Sequence, residues 1–443
     1  MTSTSTTSVP QLARKLRPLD YFTIGFGTMV GVGWLVLMND WLERGGPWGA
    51  ILGFLLGGAL LVPVGYVYGQ LVMAIPDAGS EIAYTARVFP SFVSFFSGWI
   101  MLLAYLVVCP WEGVAIGRVA GYIVPGLDRF ELYRVGGQPV YLPSLVLGLL
   151  LTALITFLNY RGVRLSAAFQ NWTTAGVLAL FVVFAGSGLA KGNIHNTLPP
   201  FSRGAPLSIL LVLQIVPYFM TGFESVPKCA EEANPAFRVR GFFRAIMAAL
   251  LVGAAFYCLI IFVVGYAWPW QDLTRRSLAT AYALSHATGA GWVVNLVMVA
   301  ALLSLMKIFN GNFLASSRML FALGRQQMID HRLGRLHPVN RTPSVAVLAL
   351  GVFTAAGVCL GSSILVPVTE VGSMAAACGW LSACAAYFAI EKTRKQRAIA
   401  VMGALVSLAL IGMKVLWFVP GHFNRWEWIT LAAWVALAAL LRR

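Results

Sequence analysis

Apolar runs of about 20 residues follow one another along almost the whole chain, each long enough to cross a bilayer as an α-helix. Short polar links separate them. The pattern predicts spans near residues 19–38, 48–74, 93–124, 144–160, 167–189, 207–228, 242–268, 289–323, 345–363, 367–390, 398–419 and 426–441, twelve in all. The third and eighth are long, which implies tilt or helix continuing past the bilayer. The longer links, 125–143, 190–206, 269–288 and 324–344, are too small for a separate soluble domain.

Two spans carry residues that a lipid-facing helix should not. Gly25-Phe-Gly-Thr-Met-Val-Gly-Val-Gly33 lies in the first and Pro217-Tyr-Phe-Met-Thr-Gly-Phe-Glu224 in the sixth. Irregular backbone at membrane depth is tolerated only where it lines a protein-enclosed cavity. A pair of interruptions at corresponding places in two halves points to a transporter binding site. Spans 1–5 (residues 19–189) and 6–10 (207–390) would then be two repeats. Five is odd, so the second inserts upside down. Residues 1–18 form an N-terminal tail, and 398–443 hold two accessory helices. The expected fold is an all-α integral membrane protein with twelve transmembrane helices, a 5+5 inverted repeat whose first and sixth helices are broken.

Composition sharpens this. The chain of 443 residues is 59% hydrophobic and 11% charged, with mean hydropathy +0.78, which excludes an ordinary soluble domain. A net charge of +16 would suggest nucleic acid in a soluble protein. Here 21 of the 32 Lys and Arg fall in links on the side of the N-terminus, so that side is read as cytoplasmic, with both termini there. No nucleic-acid partner is expected; anionic lipid is the attracted surface. The six cysteines lie in spans or at a span end, so no disulfide framework is expected. The N-terminus lacks a signal-peptide pattern. No HExxH, phosphate loop, GxSxG or Cys/His metal spacing occurs, so neither an enzyme nor a cofactor or metal site is expected.

Particular residues carry the functional reading. Gly31-Val32-Gly33 could expose backbone N–H groups at the start of an outer half-helix, whose positive partial charge suits a carboxylate. The same glycines would also serve close helix packing. Thr221 and Gly222 would unwind the sixth helix, and Tyr218, one turn earlier, could close over a substrate or simply pack. Glu224 is a costly carboxylate at that depth, either a proton-exchanging group or a fixed ion pair or helix cap. Glu112 follows Cys109-Pro110-Trp111, where Pro110 predicts a kink. Ten residues separate Lys307 from Arg318, which places it at mid-membrane depth, and it is expected to pair with Glu112 or Glu224 as a coupling device. Arg118 and Lys414, nearer outer span ends, are expected to snorkel.

These residues sit in longer motifs. Gly222-Phe-Glu-Ser-Val-Pro-Lys-Cys-Ala-Glu-Glu-Ala-Asn-Pro235 resembles the sixth-helix signature of amino acid–polyamine–organocation (APC) permeases. Ser316-Ser-Arg-Met-Leu-Phe-Ala-Leu-Gly-Arg325, with Leu336-His-Pro and Arg341-Thr-Pro343, resembles that family's eighth helix and inner loop. Ile24 to Leu35 resembles its first-helix glycine motif, and the likeness runs in order from about Leu16 to residue 397. The resemblance implies the leucine-transporter fold, alternating access and a site between helices 1, 3, 6 and 8. It implies that backbone at Gly31, Val32 and Gly33 holds a substrate carboxylate. It further implies that carbonyls near Thr28, Met29 and Val30, and from Tyr218 to Thr221, receive an amine. Cys109, Phe223 and Glu224 complete the candidate contacts. This chain departs from the family's commonest first-helix Gly-Ser-Gly by Val32. Where many sodium-independent members carry a fifth-helix lysine it has Val177. Lys307 is therefore expected to replace that cation from the eighth helix and to take the place of a sodium ion. No cysteine occurs in 125–143, so no disulfide-linked heavy subunit is expected.

The expected function is a secondary active transporter of amino acids in the plasma (inner) membrane, proton-coupled and sodium-independent. Two alternatives stand beside it: a carrier of amines or polyamines lacking a carboxylate, and a non-transporting nutrient sensor.

Overall fold

A computed structural model gives the architecture; it describes residues 11–124, 127, 129–276, 278–289, 291–361 and 365–442. Residues 1–10 of the expected tail and the side chain of Arg118 lie outside the described residues. The first span divides into α1 (Pro18–Met29) and α2 (Gly33–Val36), and α3 (Met38–Ala74) follows at once. Within α3 the backbone bends at Gly46, whose φ of +65° only glycine adopts readily, just before Pro47. A short α4 (Glu81–Thr85) precedes α5 (Ser91–Leu106) and α6 (Val108–Ile123). These two are the expected third span, interrupted at Val107 because Pro110 has no N–H for the carbonyl four residues back.

Next comes a departure from the all-α expectation. Residues of the 125–143 link form a hairpin, β1 (Glu131–Val135) and β2 (Gln138–Tyr141), paired Val135 to Gln138. Gly136 and Gly137 have φ of +55° and +79°, which a two-residue turn with the strands' own twist requires.

The remaining helices are α7 (Leu142–Arg161), α8 (Val163–Lys191), then α9 (Ala205–Leu213), α10 (Val216–Met220) and α11 (Ser225–Lys228), which divide the sixth span in three. After them come α12 (Arg240–Ala267), α13 (Trp270–Leu273), α14 (Ala279–Thr288), α15 (Gly291–Arg325), α16 (Ser344–Val358), α17 (Leu365–Ile390), α18 (Arg394–Val415) and α19 (Arg425–Leu441). Among the described residues nine helical segments are long and apolar enough to cross a membrane. The expected sixth, ninth and twelfth spans fall outside that set. The sixth is broken, and α16 and α19 have 15 and 17 residues.

The centre of the molecule is built on α1, which packs against α12, α8 and α15. α15 also meets α5 and α6, and α3 lies along α12. Both helix interruptions are thereby placed in the interior: Val30, Val32, Met220 and Phe223 are fully buried. Lys414, expected to snorkel, is instead buried and paired with Glu370 of α17. A carboxylate supplied by the neighbouring helix satisfies the ammonium where it lies.

Candidate functional site

The last carbonyls of a helix have no partner within it and carry the negative end of its dipole. α1 ends this way inside the protein, with Val30 extended at φ −89° and ψ 98°. Side chains from α15 and α12 meet those carbonyls. Lys307 Nζ donates to Val30 O and, at 3.4 Å, to Gly27 O. The Tyr257 hydroxyl donates to Met29 O at 3.1 Å, and Asn312 Nδ2 makes a long contact to Thr28 O at 3.5 Å. Beyond the break, Ser304 Oγ donates to Gly31 O at 2.9 Å. Lys307 is fully buried, with its ammonium 5.4 Å from the Phe26 ring centroid.

The expected ion pair of Lys307 with Glu112 or Glu224 is not made. Among the described residues no carboxylate comes within 4 Å of it. The end of α1 supplies its oxygens instead. Glu112 acts on it only through space.

At the second break, Thr221 turns extended and Gly222 takes φ +142°. Thr221 N–H and Oγ1 both bond to Pro217 O, at 3.0 and 2.6 Å. Glu224 folds back so that its Oε2 accepts from Gly222 N–H at 3.0 Å. It occupies the position before α11 but its side chain makes no bond into that helix. A Cβ added at Gly222 would fall 2.5 Å from Met29 N. The two breaks thus touch backbone to backbone, a closeness only glycine permits.

Between them lies a small cavity of about 20 Å³, room for little more than a water molecule, so in this conformation the site is contracted. Of the expected contacts, Thr28, Met29, Gly31, Val32, Gly33, Glu112, Tyr218 and Thr221 line it. Val30, Cys109, Gly222, Phe223, Glu224 and Lys307 do not. Phe223 stacks on Trp380 at 5.9 Å, and Cys109 Sγ contacts Tyr105 O at 3.7 Å. Glu112 is buried and its Oε2 has no partner. The Gly31 N–H faces the Tyr257 hydroxyl, whereas the N–H groups of Val32 and Gly33 meet no acceptor among the described residues.

Sequence reasoning missed Ala104, Val108, Trp111, Phe219, Ile308, Asn312 and Gly372. A signal existed for some. Residues 104, 108, 111 and 112 share one helical face, as do 308 and 312. Nothing local marks Gly372, which reaches the cavity through packing against Tyr218 and Val107.

The amino acid permease family model matches residues 16–440. The chain belongs to this family. It is a multi-pass membrane transporter, not an enzyme. A branched-chain amino acid permease of Bacillus subtilis is 25% identical over 385 residues, 84% of this chain and 78% of that protein. A methylthioribose transporter of the same organism is 25% identical over 378 residues, 82% and 79% of the two chains. Cationic amino acid transporter 4 of Mus musculus is 27% identical over 384 residues, 82% of this chain and 58% of its own.

In the permease the cavity is shut on both sides. Opposite the N-terminus of α1, the Phe219 ring presses on Gly33, where a Cβ would fall 2.5 Å from it. Trp41 backs Phe219 at 4.8 Å and Phe54 at 4.9 Å. Tyr218 meets Phe219 edge-on at 5.1 Å. On the side of that N-terminus, ion pairs form the closure. Lys228 Nζ lies 2.9 Å from Glu81 Oε1, both side chains fully buried, and Tyr68 donates to the same oxygen at 2.6 Å. Arg318 grips Glu232 with two bonds of 2.7 and 3.1 Å. Arg325 joins Glu231 at 2.6 Å and Asp77 at 3.2 Å. Burial pushes the Asp77 carboxyl up, against the pull of Arg325.

Proposed function

We propose that this permease is a secondary active transporter of amino acids that works by alternating access, coupled to protons and independent of sodium. Its twelve spans form two inverted five-helix repeats plus two accessory helices, in the plasma membrane with both termini cytoplasmic. One observation carries the reading: two unwound stretches meet at one closed cavity, and the ammonium of Lys307 occupies the carbonyls at the end of α1. A cation at that helix end does the electrostatic work of a bound metal ion.

In the cycle, the substrate carboxylate takes the unoccupied N–H groups of Val32 and Gly33, and its amine turns toward Glu112 and the sixth-helix break. Tyr218 closes over it. The bundle of spans 1, 2, 6 and 7 then rocks against the rest, and the inner ion pairs part to release it. Protonation at Glu112, Glu224 or Lys307 biases that equilibrium. The relatives' names range over branched-chain and cationic amino acids and methylthioribose, so the fold leaves the side-chain preference open.

A second reading has its own support. Glu112 places a carboxylate in the cavity with one oxygen unpartnered among the described residues, while most carbonyls at the end of α1 are already taken. That favours a substrate with an extra ammonium, or an amine with no carboxylate. The test is uptake into liposomes from a mixture of amino acids and their decarboxylated amines, in sodium-free buffer, with and without an inside-alkaline gradient. Gradient-driven accumulation of amino acids is expected. Accumulation of amines alone would replace the first reading by the second. No uptake or exchange by folded protein would favour the sensor.

A further inference from the structure

At the end of the molecule where the chain begins, a groove of about 890 Å³ opens between the starts of α1 and α12. Arg17 stands on one side and Arg238, Arg240 and Arg244 on the other. Its deeper wall is apolar, formed by Phe22, Ala245 and Ala248.

The frame is fixed by the backbone. Leu16 N–H bonds to Glu232 O and Asn234 N–H to Leu16 O, both at 2.9 Å, so the segment entering α1 is stitched to the segment leaving the sixth span. Tyr21 packs its ring on Phe237 and Phe242 at 4.9 and 5.0 Å and donates to Cys229 O at 2.9 Å.

The charge is unopposed. Among the described residues no carboxylate lies within 4 Å of the guanidinium of Arg17, Arg238, Arg240 or Arg244. The acids nearest in sequence are committed elsewhere. Asp20 accepts from Arg17 N–H and Asn171 Nδ2, both at 2.6 Å, Glu231 is held by Arg325 and Glu232 by Arg318. Residues 1–10, which precede this groove, contain no acid that could neutralise it.

The apolar wall decides what kind of anion fits. Ala248 lies eight residues beyond Arg240 along a membrane-crossing helix. At about 1.5 Å per residue the wall runs roughly 12 Å from the arginines toward the bilayer core. A soluble phosphate would leave that wall uncovered. An anionic glycerophospholipid fills both parts, its phosphodiester on the planar guanidiniums and an acyl chain along the wall. We infer that this groove is a binding site for one anionic phospholipid, with Arg17, Arg238, Arg240 and Arg244 holding the headgroup and Phe22, Ala245 and Ala248 the chain.

Native mass spectrometry of the full-length protein, titrated with phosphatidylglycerol or phosphatidylcholine, tests this. One phosphatidylglycerol is expected to stay bound where phosphatidylcholine does not. The triple variant Arg238→Gln, Arg240→Gln, Arg244→Gln should weaken it at least about tenfold. A control losing Arg332, Arg335 and Arg341 from the inner link should keep it. Phe22→Ala should weaken the lipid while leaving binding of inorganic phosphate unchanged. If the triple variant melts earlier than wild type, Arg244→Gln and Phe22→Ala singly supply the readout. Unchanged retention in the site variants, equal loss in the control, equal binding of phosphatidylcholine, or displacement by inorganic phosphate at matched concentration would each overturn the assignment.

Discussion

Lys307 and Glu112 are the two buried charges that matter at the scale of single residues, and they face different demands. Lys307 satisfies helix-end carbonyls that have no other donor nearby. Replacing it by Ala leaves Val30 O and Gly27 O buried without it, a cost of about 1–3 kcal/mol in stability. Thermal unfolding of Lys307→Ala should show that loss, and uptake should no longer respond to a pH gradient. Full transport with an unchanged pH profile would end the idea of a resident cation. Glu112, by contrast, has an oxygen with no partner among the described residues, and in the proposed cycle the substrate supplies one. Glu112→Gln keeps the shape and removes the charge. Binding of a dibasic amino acid or diamine should weaken about 10- to 100-fold, with neutral amino acids much less affected, in competition assays. Both residues stand out in the sequence as charges inside apolar runs. Their partners do not, because a lysine on a helix says nothing about whether a carboxylate or a carbonyl will meet it.

Elements explain why the two breaks must be glycine-rich, and for different reasons. At Gly222 the backbone has φ +142° and an added Cβ would strike the backbone of Met29 at 2.5 Å. Neither the conformation nor the neighbour can give way. Gly222→Ala should cost about 1–3 kcal/mol, abolish uptake and lower the melting temperature together. At Gly31 the added Cβ would meet the tip of Ile308, 2.5 Å away, and a side-chain tip can turn aside. Gly31→Ala should fold with near wild-type stability and lose uptake because the methyl group intrudes on the cavity. Equal effects of the two substitutions on stability would contradict this distinction. Where an element stops is partly legible from residues such as Pro110 and Gly46. That the first half-helix resumes for only four residues before α3 begins, or that the 131–141 stretch forms a hairpin, depends on what packs beside them.

For the whole molecule, the decisive feature is the layer of ion pairs beneath the cavity. Arg318 and Glu232 are both fully buried, so Arg318→Gln strands a carboxylate and should lower stability by about 3–5 kcal/mol. Removing both charges, Arg318→Met with Glu232→Met, should recover most of it in the same unfolding assay. A double variant as unstable as the single one would mean the pair does not act as a unit. The pairs join residues far apart in sequence, Glu81 to Lys228 and Glu232 to Arg318, and they close one side of the cavity while rings close the other.

The sequence by itself determined that this is a helical membrane protein of the permease kind and that its first and sixth spans are interrupted. Those are consequences of local composition: an apolar run in a bilayer must be helical, and glycine with a charge at mid-depth must face protein. Only the tertiary structure decided which candidates share the cavity. It turned Glu224 and Phe223 away, brought in Phe219, Asn312 and Gly372, and gave Lys307 oxygens from the backbone of α1. Rotation of one helix against another fixes those choices, and that rotation is set by side chains packing across the whole interior at once.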